Sequence, residues 1–261
     1  MKVWTVVNQK GGVGKTTTAI SLASWLSVRG YQTLLIDLDP HGSLSSYFGV
    51  DPDQNEHSVY QRFQSHNYKA SDLVRSSGFA NLDFIPAATV LATLDRQLGA
   101  QDGKGLVIKR MIDELTASYS YVLIDCAPIL GVLMVNALAA ADKLVIPVQT
   151  EYLALKGLER MMHTVKMIEH GLNHHLACHV VATMYDRRTR ASRSALAVLK
   201  EQYRSHLLKT VVPVDTLFRD ASRQGIPLPS WQPQSRGAHC YGEVLDELLG
   251  IELDQLETML I

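Results

Sequence analysis

Asn8-Gln9-Lys10-Gly11-Gly12-Val13-Gly14-Lys15-Thr16-Thr17 is the stretch that decides the fold of this chain. An apolar, β-branched run at residues 3–7 precedes it, and an amphipathic pattern at 15–29 follows it. A glycine-rich turn between a strand and a helix is the setting of a phosphate-binding loop, because backbone N–H groups and the helix N-terminus converge there on an anion. Gly11, Gly12, Val13, Gly14 and Thr17 would then surround the phosphates. Lys15 would neutralise the β and γ oxygens, and the Thr16 hydroxyl would bind magnesium. The strict GxxxxGK[ST] spacing fails, since its first glycine would fall at Gln9, and a second lysine, Lys10, stands in the loop instead.

Working outward, short apolar runs recur at 33–37, 82–86, 121–125, 143–148 and 179–183. They alternate with helical patterns at 105–119, 155–169 and 191–203. That alternation implies an α/β fold: a doubly wound, mainly parallel sheet with helices on both faces, of the P-loop NTPase, Rossmann-like three-layer kind. Ligands of such sheets bind at the carboxyl ends of the strands. Residues 51–77 are polar and irregular and read as a surface excursion. With no internal repeat and no linker pattern, 1–261 is expected to be one domain.

Hydrophobic residues make up 46% of the 261-residue chain and charged residues 20%, a composition that argues against disorder or a coiled-coil rod. A net charge of −1 means that any nucleic-acid surface has to be local. Three separated cysteines, Cys126, Cys178 and Cys240, speak against a disulfide framework and for a reducing, cytoplasmic setting. No apolar run is long enough to span a bilayer, so neither secretion nor direct membrane insertion is expected.

Two acidic motifs complete the candidate site. Asp37-Leu38-Asp39-Pro40-His41-Gly42 ends the second strand, and Tyr121-Val122-Leu123-Ile124-Asp125 is an apolar strand closing on a carboxylate, the form of a Walker B element that holds magnesium. Taken alone, each is also compatible with an ordinary turn or strand end. Cys126 has no adjacent base in sequence and reads as packing. Trp4, Trp25 and Trp231 read as core or rim aromatics.

The KGGxGKT string resembles the signature of the ParA/MinD superfamily of deviant Walker A ATPases. Further segments extend the resemblance along nearly the whole chain: the DxDP turn, with His41 where the family has Gln; Pro147-Val148-Gln149-Thr150-Glu151-Tyr152-Leu153-Ala154-Leu155-Lys156-Gly157; and Thr183 to Arg190. The resemblance implies an Mg2+-dependent ATPase that forms a nucleotide-sandwich homodimer. Lys10 would reach the phosphates held by the other subunit, and Lys15, Asp39 and Lys10 would be the catalytic set. Asp39 would position the attacking water near the magnesium shell formed with Thr16 and Asp125, with Asp37 behind it. Met184, Pro213 and Asp215 would border the adenine, although Pro213 and Asp215 equally suit a turn. Cys126-Ala127-Pro128-Ile129 departs from the family's usual segment after Walker B.

The family positions plasmids, chromosomes or protein complexes, so the cargo needs separate argument. The tail from Glu243 to Ile261 carries six acids and no lysine or arginine, the reverse of a basic membrane helix; it is expected to pack an apolar face on the body and leave its acids in solvent. Arg187, Arg188, Arg190, Arg193, Lys200 and Arg204, with Arg219 and Arg223, are candidates for non-specific DNA contact or simply a solvated face. The opening 3–9 segment and the Asp39-Pro40-His41 turn look most like the ParC proteins that place chemotaxis arrays at cell poles. That resemblance implies a polar anchor and an array adaptor as partners. A partition ATPase, a P-loop amidoligase and a nucleotide-binding scaffold remain as alternatives.

Overall fold

The computed structural model describes residues 1–65, 68–94, 97 and 104–259. Eight strands form one sheet: β1 (Lys2–Val6), β2 (Thr33–Leu38), β3 (Arg75–Phe79), β4 (Leu82–Ile85), β5 (Tyr121–Cys126), β6 (Lys143–Gln149), β7 (Ala177–Tyr185) and β8 (Leu207–Pro213). Their spatial order is β3-β4-β2-β5-β1-β6-β7-β8, and all pair in parallel except β3, which runs antiparallel to β4 at one edge. The principal helices are α1 (Lys15–Val28), α2 (Ser43–Tyr47), α3 (Tyr60–Gln64), α4 (Val107–Asp113), α5 (Val132–Ala140), α6 (Tyr152–Leu172), α7 (Arg190–Gln202), α8 (Leu217–Gln224), α9 (Leu228–Trp231) and α10 (Arg236–Met259).

The central strands are apolar on both faces because both are covered. Leu34 and Ile36, Val122 and Ile124, and Leu144 and Ile146 pack with Met134 and Leu138 of α5 and Leu158 and Met161 of α6. The alternating residues Trp4, Val6, Leu35, Leu123 and Val145 pack against Leu22 and Leu26 of α1 and Val244, Leu245 and Leu248 of α10. Polar links fasten the second layer: Thr18 Oγ1 and Tyr241 Oη are 2.7 Å apart, and Trp25 Nε1 donates to the Ala238 carbonyl at 2.8 Å.

The six expected strands are present, with ends shifted by up to two residues. Two more, β3 and β8, lie at the sheet edges, where one-sided burial leaves no continuous apolar run to read. The 51–77 stretch is more than an excursion. Val59, Phe63, Ala70 and Leu73 are buried in the core, and β3 begins at Arg75. The helix expected at 105–119 is cut to α4 with turns around it, while α5 had no distinct polar face to betray it. Trp4 is fully buried, and Trp25 and Trp231 are rim residues, as expected.

In the tail, Val244, Leu245 and Leu248 supply the expected apolar face, but three of the acids have partners, Glu243 with His239 at 3.5 Å among them. Asp246 pairs with Arg29 at 2.6 Å, and the Glu247 carboxylate accepts the Lys209 and Thr210 N–H groups at 2.7 and 2.8 Å, closing part of the free edge of β8. Among the described residues no helix is long and apolar enough to cross a membrane.

Candidate nucleotide site

Strand order places the three sequence motifs side by side. β5 lies between β2 and β1, and the register pairs Asp125 with Val6 on one side and with Asp37 on the other. The loop after β1 therefore opens directly above Asp125. Gly12 and Gly14 hold φ of +76° and +90°, backbone that a side chain would strain, and α1 begins at Lys15 immediately afterwards. The loop is tied at both ends: Asn8 Nδ2 donates to the Pro147 carbonyl at 2.9 Å, and Thr183 Oγ1 donates to the Val13 carbonyl at 2.9 Å.

Thr16 Oγ1 donates to Asp125 Oδ2 at 2.6 Å. The other oxygen, Oδ1, is buried and has no hydrogen-bond partner among the described residues. Burial, with Asp37 close by, pushes the Asp125 carboxyl up to about 8. A half-buried hydroxyl that lines the cavity and a buried carboxylate with one orphaned oxygen form a donor set of hard oxygens, which fits magnesium. Asp37 is fully buried and pushed up to about 6 by desolvation, although its oxygens accept Ser45 N–H and Oγ–H at 2.9 and 2.7 Å and the Asp39 N–H at 3.1 Å. It thus braces α2 and the Asp39 turn from behind. Lys15 is buried, with Nζ donating to the Lys10 carbonyl at 3.3 Å; desolvation lowers its pKa, opposed by Asp125 and Asp39.

A cavity of about 540 Å³ opens over this floor, lined by Gly11, Gly12, Gly14, Lys15, Thr16, Thr17 and Asp39. A second, of about 590 Å³, adjoins it through Gly14, Thr17, Met184, Phe218 and Ser222, and includes Pro213 and Asp215. One compartment meets the glycine loop and the other the ends of β7 and β8, a division that suits phosphates and a base. Met184 holds a left-handed φ of +51° against Gly14.

Several assignments change in detail. The Val13 side chain is buried in the core, so only its backbone serves the loop. The Asp215 carboxylate accepts Leu217 N–H at 3.0 Å and Gly237 N–H at 2.9 Å, so it joins α8 to α10 where it borders the second cavity. Lys10 lies outside both cavities, packed against Gly157 of α6. Arg187, Arg190, Arg193, Arg219 and Arg223 are all exposed, whereas Arg188 is held by Asp186 at 2.8 Å. Arg219 also borders the second cavity. Cys126 is buried and its thiol is pushed up by desolvation, as suits packing.

His41, marked in sequence as a turn histidine or one that tunes the water, also lines the cavity, while sequence reading missed Ser43, Tyr47, Phe218, Ser222 and Leu228 as lining residues. The last three come from α8 and α9, far along the chain and with no motif of their own; only their position beyond β8 could have marked them.

Comparison with known proteins agrees with this geometry. A family model described as an AAA domain matches residues 1–178. The sporulation initiation inhibitor protein Soj of Bacillus subtilis is 36% identical over 248 residues, 95% of this chain and 98% of that protein. The chromosome-partitioning ATPase Soj of Treponema pallidum is 35% identical over 249 residues, 95% and 97% of the two. Among solved structures, cobyrinic acid a,c-diamide synthase from Mycobacterium smegmatis with bound ATP analog and magnesium superposes with a TM-score of 0.83 at 32% identity, covering 95% of this chain and 94% of that one. This chain belongs to the ParA/Soj family of deviant Walker A ATPases.

Proposed function

We propose that the chain, as one ATPase domain over residues 1–261, is a cytoplasmic partition switch that binds DNA non-specifically in its ATP-bound dimeric state. The observation that carries this reading is the exposed arginine set at one end of the sheet: Arg187 after β7, Arg190 and Arg193 on α7, and Arg219 and Arg223 on α8. Among the described residues none of these cations has a carboxylate partner, and such cations can neutralise phosphates without reading bases. Arg219 touches the nucleotide cavity as well, so the same helix meets ligand and surface. The Treponema relative's role in chromosome partitioning supports the reading.

In the proposed chemistry ATP lies along the two adjoining cavities, its triphosphate on the glycine loop and Lys15. Thr16 and Asp125 would hold magnesium, which supplies charge neutralisation across the phosphate oxygens when bound. Asp39 orients the water, and Asp37 fixes the turn that carries Asp39. Lys10, outside its own cavity, is free to serve the facing subunit of a sandwich dimer.

DNA retention measured against salt with ATP and with ADP tests the reading. ATP-dependent retention that falls steeply with salt is expected, and retention indifferent to nucleotide refutes it. Polar placement of chemotaxis arrays, with an anchor and an adaptor as partners, drew on the opening strand and the Asp39-Pro40-His41 turn; the role of the Treponema relative favours partition instead. The likeness to a diamide synthase favours amide formation as the rival. Phosphate release from ATP with no acceptor present separates the two.

A further inference from the structure

The Asp39 carboxylate is not symmetric in its surroundings. Oδ1 accepts two hydrogen bonds from one residue, from the His41 backbone N–H at 3.0 Å and from the His41 ring Nδ1 at 2.9 Å. Among the described residues no protein group bonds Oδ2. Asp39 is only 13% exposed while the His41 ring is 78% exposed, so the ring lies over the carboxylate from the solvent side, and both residues line the cavity above Lys15 and Thr16. The turn that presents His41 is itself fixed. Asp39 N–H donates to the buried Asp37, and Gly42 follows at φ +60° so close to Pro52 that an added Cβ would stand 2.6 Å from the proline ring.

We propose that His41 is a positioning residue for ATP hydrolysis: its Nδ1–H, acting with its backbone N–H, holds Asp39 Oδ1 so that Oδ2 alone faces the cavity and accepts the proton of the attacking water. A carboxylate free to rotate about its Cβ–Cγ bond presents either oxygen over a range of angles. One held at Oδ1 by two donors presents the other in one direction, and orientation of this kind is where a hydrolytic site gains rate. Nδ1 is the donor, since the carboxylate oxygen it meets accepts. Exposure of the ring argues against a packing role, since no core contact depends on it.

The inference rests on Asp39 orienting the water, so the experiment carries a control for that reading. Single-turnover phosphate release, with KM for ATP, is measured for the full-length protein and for Asp39→Ala, His41→Ala and His41→Asn. Asparagine places an amide N–H where Nδ1 stands, two bonds from Cβ. Loss of a hydrogen bond to a charged group predicts that His41→Ala slows hydrolysis about tenfold or more. KM should hold near the unmodified value, and His41→Asn should recover most of the rate. A role only in the turn would lower the melting temperature of both His41 variants without dividing kcat from KM. Full hydrolysis by His41→Ala beside a dead Asp39→Ala overturns the role of His41. So does equal impairment of His41→Ala and His41→Asn. Full hydrolysis by Asp39→Ala instead removes the reading of Asp39 on which the inference stands.

Discussion

Gly157→Ala should separate nucleotide binding from dimer formation. Gly157 is buried in the first turns of α6, and a Cβ built there stands 2.9 Å from Lys10 Cβ and 3.6 Å from Asn8 Oδ1. Carbon atoms in good contact sit about 3.5–4.0 Å apart, so the pair must separate by about 0.6–1 Å. Lys10 Cβ is fixed to the backbone and has no rotamer through which to escape, so the loop itself moves at Lys10. Overpacking of this size costs about 1–3 kcal/mol, whereas alanine in a helix interior regains about 1 kcal/mol over glycine. The net loss of about 0–2 kcal/mol leaves the protein folded. A displacement approaching 1 Å at a group that must meet the partner's phosphates can cost about 100-fold. The atoms nearest the new methyl group belong to Lys10 and Asn8, and Lys15 is linked to the shifted segment only by its long 3.3 Å bond to the Lys10 carbonyl. Fluorescent-nucleotide titration should therefore show retained monomer affinity, while light scattering with ATP should show a dimer as weak as that of Lys10→Ala. A Gly157→Ala protein that dimerises with ATP as the unmodified chain does would refute the placement of Lys10.

Other consequences can be checked directly. Asp37 and Asp125 have carboxyls raised to about 6 and about 8, above the unfolded value of about 3.9. The folded state then holds more protons than the unfolded state between those limits, so the stability of the nucleotide-free protein falls as pH rises from about 4 to about 8. Asp125→Asn should flatten the upper half of that slope in denaturant titrations; an unchanged slope would contradict the buried pair. Glu247→Ala removes the acceptor of two β8 N–H groups and should cost about 1 kcal/mol, at the low end because Lys209 is exposed to water, as read from thermal unfolding. Charge reversal of Arg190 and Arg193 should weaken DNA retention across sequences and reduce the log-log salt slope by about 2, one for each phosphate no longer neutralised.

The phosphate half of the site was legible in the sequence because its chemistry is local. A glycine loop, its lysine and its threonine have to be contiguous, since one turn of backbone supplies the donors and the helix start follows at once. Asp37, Asp39 and Asp125 were legible for a related reason: each ends an apolar strand, and parallel strands bring such ends to one rim. Met184 and Pro213 of the second compartment were marked in sequence, but tertiary structure alone brought in Phe218, Ser222 and Leu228, which reach the loop only because β8 takes the outer place in the sheet and α8 and α9 turn back over α1. It also decided what the polar atoms do. The same sequence is compatible with Asp215 facing a base or fastening two helices, and with His41 in solvent or on Asp39. The Asp39–His41 and Asp215–Leu217 bonds close local turns, whereas the Asp215–Gly237 bond joins residues 22 apart and forms only because the tertiary fold brings α10 beside α8.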